Sequence, residues 1–310
     1  MKHITLPNGL TVSEVALGAM NFGTTTPKDE AYRVLDIFLD MDGNFIDTSN
    51  NYAHWAGTGD ESETLLGEWL RDRGCRDKVV LATKVGFDRH GKGAGLKKEQ
   101  IEYWVDESLR KLGTDHIDLY YAHTDDPNTP IEETMEAFHS LVKKGKVLSL
   151  GSSNFDTWRL AQANMLAKHH GWSPYTVMQQ RLSYLNPKFS MPPKYAFNEI
   201  VNRERLRFLC DQNMSLVSYA CLCKGAYENP ALLPDEYEGG ARLSFIREMA
   251  AQKGINPSAL VVSWLTNLHR CAGYPRVIPL FSASPQQLLD NLRGLEITLS
   301  DEELDTMNRI

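Results

Sequence analysis

Val79-Val80-Leu81-Ala82-Thr83-Lys84-Val85, a short and almost wholly apolar run, is followed over residues 100–112 by a pattern in which apolar positions recur every three or four residues. The pair then repeats, with an apolar run over 117–122 and a helical pattern over 131–144. Short runs of that kind are strands covered on both faces, and the longer spacing is that of helices with one buried side. Strand and helix in regular alternation is the arrangement of a parallel sheet. Outward from this stretch the alternation continues in both directions. Strands are predicted at 15–19, 44–47, 79–85, 117–122, 147–152, 176–180, 215–219 and 277–280, behind a short hairpin that turns at Pro7-Asn8-Gly9. Eight strand–helix units predict the α/β class and a closed (β/α)8 TIM barrel with variable βα loops.

The 310 residues fit either two average domains or one such barrel. Without a repeat, a low-complexity stretch or a flexible linker, a single domain over 1–310 is the expectation. A composition 42% hydrophobic and 24% charged excludes disordered and fibrous classes. No apolar run approaches the ~18 residues of a membrane span, and residues 1–10 carry no hydrophobic signal region, so the cytoplasm is expected and a membrane partner is not. The net charge of −7, with basic residues scattered among acidic ones, leaves no footprint for nucleic acid and favours a small-molecule partner. Five widely spaced cysteines are read as reduced thiols. Cys221 and Cys223 lack the second pair that a structural zinc site wants, and no metal is expected.

In a barrel the loops that follow the strands form the active face. Two of them, 52–60 and 224–240, look longer than the rest and are the candidates for substrate specificity. Asp47, Tyr52, Lys84 and His123 stand at or just beyond the ends of neighbouring strands. A lysine closing an apolar strand is costly to bury without a partner, and Asp47 would supply one. The ammonium would in turn favour a phenolate on Tyr52, lowering a pKa that is ordinarily near ~10. Tyr52 would then give a proton to a carbonyl oxygen that His123 orients by hydrogen bonding. Taken singly, each residue also has a plain structural reading as a cap, a strand-end lysine, a loop aromatic or a core histidine.

Four stretches carry a resemblance over essentially the whole chain: Phe45-Ile46-Asp47-Thr48-Ser49-Asn50-Asn51-Tyr52; Ala82-Thr83-Lys84; the run from Leu112-Gly113-Thr114-Asp115 to His123; and Gly151-Ser152-Ser153-Asn154-Phe155. In that order and spacing the sequence resembles the aldo-keto reductases. The resemblance implies a catalytic tetrad of Asp47, Tyr52, Lys84 and His123, and a nicotinamide cofactor extended across the barrel mouth without a Rossmann domain. It places the carboxamide on Ser153, Asn154 and Gln179, with Tyr219 stacked on the nicotinamide ring. Strand alternation lets only one of Gln179 and Gln180 point inward, and the resemblance selects Gln179, because residues 179–185 then fall into the family's register. Further cofactor contacts are implied at Gly18, Met20, Asp47, Leu222, Lys224, Ser282, Gln287 and Asn291. Substrate contacts are implied at Phe22, Trp55, His123 and Thr124.

The sequence departs from the family pattern in two places. The loop from Leu280 to Gln287 has no basic residue for a 2′-phosphate, so NADP(H) is expected on the family pattern while NAD(H) stays open. The segment after Tyr52, with His54 and Trp55, is longer than the usual turn before Ser62-Glu63 and offers Trp55 as an apolar wall. The glycine-rich 91–95 lacks the ending of a phosphate-binding loop and is read as a rim loop. The expected activity is reduction of an aldehyde, ketone or open-chain sugar carbonyl to an alcohol, reversed where a polyol is abundant. A Schiff-base aldolase using Lys84 is disfavoured by Asp47, because a nucleophilic lysine must be neutral. A cofactor-binding regulatory protein of the same fold with little turnover is the alternative, and the oligomeric state cannot be read from the sequence.

Overall fold

The computed structural model describes residues 1–87, 94–188, 190–191 and 199–310, so 91–93 of the glycine-rich stretch lie outside the described residues. The chain opens with the expected hairpin, in which β1 (His3–Thr5) pairs antiparallel with β2 (Thr11–Ser13). Its turn needs Gly9, whose φ of +89° is the left-handed conformation that side chains disfavour. Asn8 closes the turn by accepting from the Leu10 N–H at 3.0 Å, and its amide donates to Ser149 Oγ at 2.6 Å.

Eight strands then make a closed parallel barrel: β3 (Ala16–Gly18), β4 (Phe45–Asp47), β5 (Val80–Val85), β6 (Ile117–Ala122), β7 (Val147–Ser153), β8 (Tyr175–Arg181), β9 (Ser215–Tyr219) and β10 (Val277–Phe281), in the order β10-β3-β4-β5-β6-β7-β8-β9. The (β/α)8 barrel predicted from the alternation is the fold, and the predicted strand ends hold to within one residue. The residues group into two compact units, Lys2–Met178 and Gln179–Ile310 with Met1.

The Lys2–Met178 unit carries α1 (Lys28–Asp40), α2 (Glu61–Arg73), α3 (Lys98–Leu112), α4 (Ile131–Lys143) and α5 (Thr157–His170). The periodic patterns at 100–112 and 131–144 are α3 and α4, whose buried sides are Ile101, Trp104, Val105 and Leu112, and Ile131, Met135, Phe138 and Leu141. α3 stops at Gly113, which takes φ +63° and caps the helix in the left-handed conformation. Parallel pairing sets the register that later fixes the site: Gly18 faces Asp47, Asp47 faces Ala82, and Lys84 faces Tyr121.

The Gln179–Ile310 unit carries α6 (Arg203–Asp211), α7 (Gly240–Lys253), α8 (Pro257–Asn267), α9 (Pro285–Leu292) and α10 (Asp301–Arg309). Two of these exceed simple alternation. α8 is buried from Ser258 to Thr266, so it presents no polar face and no helical period to read. It starts on Asn256, whose side chain accepts from the Ala259 N–H, with proline in the first turn. α10 starts on a Ser300–Glu303 capping box.

One expectation about the loops is corrected. β8 ends at Arg181 and α6 begins only at Arg203, so this connection is longer than the one at 52–60. Its first residues disguise it, because Leu182, Tyr184 and Leu185 are buried and have the composition of a core element.

α2 and α3 approach closely at Gly67, where an added Cβ would fall on the Lys111 carbonyl oxygen. Gly67→Ala therefore should force the helices apart and destabilise the protein by about 1–3 kcal/mol, as overpacking does. Urea denaturation measures this, and an unchanged midpoint would show that the contact is not tight.

Candidate active site

The site grows from the ends of β4 and β5. Because Asp47 pairs with Ala82, Lys84 extends two residues past it on the same face of β5, and both side chains turn into the interior. Both residues are fully buried. The Lys84 Nζ forms an ion pair with Asp47 Oδ1 and donates to the Thr48 carbonyl at 2.6 Å and to the Tyr52 hydroxyl at 2.7 Å. Three acceptors thus meet the three N–H bonds of an ammonium, leaving no lone pair for imine formation. Burial lowers the Lys84 pKa from its usual range, and the charges of Asp47 and Glu63 oppose that loss.

Tyr52 sits in the turn after β4, with its hydroxyl 3.2 Å from Asp47 Oδ1 and its ring centroid 4.5 Å from Lys84 Nζ. Its phenol oxygen is therefore in direct contact with an ammonium. His123, just past β6, is anchored by its backbone N–H to the Val85 carbonyl at 2.7 Å. Its ring meets that of Tyr52 edge-on at 5.8 Å, and its Nδ1 lies 3.0 Å from Ser49 Oγ. Burial, and then the Lys84 charge, push its pKa well below the usual imidazole range, so the ring is neutral at neutral pH.

Ser153 ends β7, and Asn154 follows in the left-handed conformation, φ +56°. The turn points the Asn154 amide at the His123 carbonyl, 2.9 Å, and at Ser153 Oγ, 3.1 Å. Asp47, Tyr52, Lys84, His123, Ser153 and Asn154 are thus brought together by the strand ends of one compact unit.

The other expected positions spread more widely. Gly18 is buried at the end of β3, Met20 is exposed, Phe22 is buried at 2% exposure, and Thr124 is half-buried. Trp55 is 60% exposed and rests edge-on against His54, whose Nδ1 meets the Asn51 carbonyl. In the Gln179–Ile310 unit, Gln180 turns its amide to the Glu199 carbonyl at 2.6 Å, so alternation directs the buried Gln179 to the opposite face. Tyr219 ends β9, half-buried, with its pKa raised by burial. Leu222 is half-buried, while Lys224 is exposed with φ +56°. Ser282 is exposed, Asn291 is buried, and Gln287 caps α9 through a reciprocal pair with Ser284.

Several contributing side chains were not singled out from the sequence. Thr48 donates to Ser62 Oγ at 2.7 Å, and Ser62 donates to the Ala19 carbonyl at 2.8 Å. On the outer face of β5, Thr83 donates to Glu63 Oε1 at 2.7 Å, and the fully buried Glu63 forms an ion pair with Lys111. Lys111 also meets Asp60 at 3.1 Å. Ser62-Glu63 was legible as a family marker, yet nothing in its spacing gave it a task. Phe87, three residues past Lys84, places its ring edge-on to His123 at 4.6 Å.

The Aldo/keto reductase family model matches residues 14–310. The chain belongs to this family. Its relatives include a norsolorinic acid reductase of Emericella nidulans, 32% identical over 96% of this chain and 77% of the relative. An uncharacterized oxidoreductase of Bacillus subtilis is 30% identical over 97% and 93%. A protein named as an aryl-alcohol dehydrogenase in Saccharomyces cerevisiae is 38% identical over 58% and 51%. This aldo/keto reductase is accordingly an oxidoreductase of a family that generally uses NAD(P)H on small-molecule carbonyls. Among the described residues no helix is long and apolar enough to cross a membrane, and all five cysteines are free thiols.

Two predictions follow from the buried charges. Glu63→Gln leaves the Lys111 ammonium with Asp60 alone and should cost about 3 kcal/mol, while adding Lys111→Met should restore much of that loss. Denaturant titration of both variants decides this, and a single variant as stable as wild type would dismiss the pair. For His123 the folded pKa is depressed, so the unfolded chain takes up the proton first. The stability it contributes is complete above about 6.5 and is lost as pH falls below that value. Wild type should therefore lose more stability than His123→Gln between about pH 7 and pH 5, read from urea midpoints.

Proposed function

We propose that this reductase converts the carbonyl of a small aldehyde or ketone to an alcohol, and that Tyr52 is the general acid. The reading is carried by one observation: the Tyr52 hydroxyl lies 2.7 Å from a fully buried lysine ammonium whose other contacts are Asp47 and a backbone carbonyl. Charge on the phenol oxygen is favoured there, so Tyr52 can release its proton to an oxygen becoming an alkoxide. The O–H bond of Tyr52 breaks as that of the alcohol forms, and Lys84 holds the resulting phenolate. Asp47 keeps Lys84 charged and fixed. His123, neutral and adjacent to Tyr52, holds the reacting oxygen by a hydrogen bond.

A bound nicotinamide would supply the hydride. The residues proposed for its carboxamide suit that group, because a primary amide needs both donors and acceptors. Ser153 accepts from Asn154 and so keeps its own proton to donate. Gln179 supplies a buried amide, and Tyr219 a ring face. We take NADP(H) as the cofactor, with further contacts at Gly18, Met20, Asp47, Leu222, Lys224 and Ser282, and with Gln287 and Asn291 at its adenosine end. NAD(H) is the competing outcome, since 280–287 has no base and Gln287 is committed to a helix cap.

One relative is named for the reduction of norsolorinic acid and another for the dehydrogenation of aryl alcohols. The Phe87 ring against His123 supports an aryl carbonyl here as well, with Phe22, Trp55 and Thr124 the further substrate positions proposed. Residues 1–310 are taken to work as one domain, in the cytoplasm.

Tyr52→Phe should reduce turnover on the order of a thousandfold while leaving cofactor affinity nearly unchanged, because the hydroxyl is needed only as the oxyanion forms. Protein fluorescence titrated with NADPH and then NADH reads affinity and cofactor choice together, and an aryl-aldehyde assay reads turnover. A mutant that no longer binds cofactor would refute the assignment of Tyr52. Wild type that binds cofactor but does not consume it would favour a regulatory role.

A further inference from the structure

The segment that carries Tyr52 runs outward as a chain of tight turns. The Tyr52 N–H donates to the Ser49 carbonyl, that of His54 to Asn51 and that of Ala56 to Ala53. Three residues beyond the phenol these turns present Trp55, 60% exposed. Residues 57–59, which return the chain to α2, are gathered by Glu61, the first residue of that helix. Its Oε1 accepts from the Thr58 N–H at 2.6 Å and the Thr58 hydroxyl at 3.0 Å, and its Oε2 accepts from the Gly59 N–H at 2.8 Å. The loop lies so close that a Cβ added at Gly57 would fall on the carboxylate. Behind it, the Glu61 Cβ packs on Gly23, where an added Cβ would stand 2.9 Å away. Glu61 therefore ties together the two loops that bear Phe22 and Trp55.

We propose that Glu61 is a specificity-determining residue that acts through Trp55: by clamping 57–59 it fixes the indole as the outer wall of the substrate mouth, and so selects aryl carbonyl compounds that extend beyond one ring. The ligand in this statement rests on the proposed function, whereas the clamp is a property of the resting protein.

An aromatic ring left in water gains when a flat apolar ligand covers it. A wall already held in place spares the ligand the cost of ordering it. With the reacting carbonyl at Tyr52 and His123, a first ring meets Phe87, and only a longer molecule reaches the rim at Trp55. The clamp needs a carboxylate, because both of its oxygens accept. An amide of the same shape has one oxygen, and its NH2 would face a donor. Burial disfavours the charge on Glu61, but the Thr58 and Gly59 donors outweigh it and hold the carboxyl below its usual range, so the clamp is complete at neutral pH.

Kinetics with naphthaldehyde and benzaldehyde, and the indole N–H signals of protein carrying 15N-tryptophan, test this together. The Trp55 signal is picked out from the six tryptophans by its loss in Trp55→Ala. Wild type should have the lower KM for naphthaldehyde. Glu61→Gln should raise that KM about five- to tenfold, the worth of one aromatic contact, while the benzaldehyde KM and both kcat values stay at wild-type levels. In a Trp55→Ala background the same substitution should change nothing further. The Trp55 signal should move in Glu61→Gln, and in wild type when naphthaldehyde is added with NADP+. Equal KM values for the two aldehydes in wild type, an equal fall in kcat on both in Glu61→Gln, a Glu61→Gln effect that persists without Trp55, or a Trp55 signal indifferent to the substitution or to naphthaldehyde would each overturn the proposal. Failure of the reductase reading is seen separately, as neither aldehyde being consumed by protein whose Trp55 signal responds as stated.

Discussion

The seating of one ammonium ion organises this molecule. Removing a lysine charge from water is strongly unfavourable unless the protein replaces every hydrogen bond that water made. Lys84 receives a carboxylate, a backbone carbonyl and a phenol oxygen, and each of the three is delivered by the segment Asp47–Tyr52. That segment must leave β4 in one particular path for the three acceptors to converge, so the charge and the chain trace specify each other.

A second polar layer lies behind the first. Successive residues of β5 point to opposite faces, so Lys84 faces the interior while Thr83 faces the helices and binds Glu63. Glu63 is neutralised by Lys111, and its neighbour Ser62 ties Thr48 to the Ala19 carbonyl. The two ion pairs therefore sit on either side of one strand. The start of α2 fixes the outer pair and, through Thr48, the main chain that holds the inner one.

The barrel was legible because its strands are short and apolar, and because helices such as α3 and α4 show one buried side. α8 escaped that reading for the opposite reason, being buried almost all round. The connection after Arg181 escaped it because its first residues are themselves core. In the site, Asp47 and Lys84 could be paired from strand order alone, since parallel register leaves two adjacent strand ends little choice. The contacts of Glu63 could not, because they depend on helix-to-strand packing that carries no period. Trp55 and Phe87 show the same limit: both are aromatics in loops, and only coordinates distinguish the ring in solvent from the ring beside His123.

Thr48 contributes to the lysine's seat through its peptide oxygen, which belongs to the backbone whatever residue occupies the position. Genetic change can strip the ammonium of its carboxylate or its phenol, but not of this third support short of rerouting the chain. A lineage drifting in sequence thus keeps a residual socket for the charge.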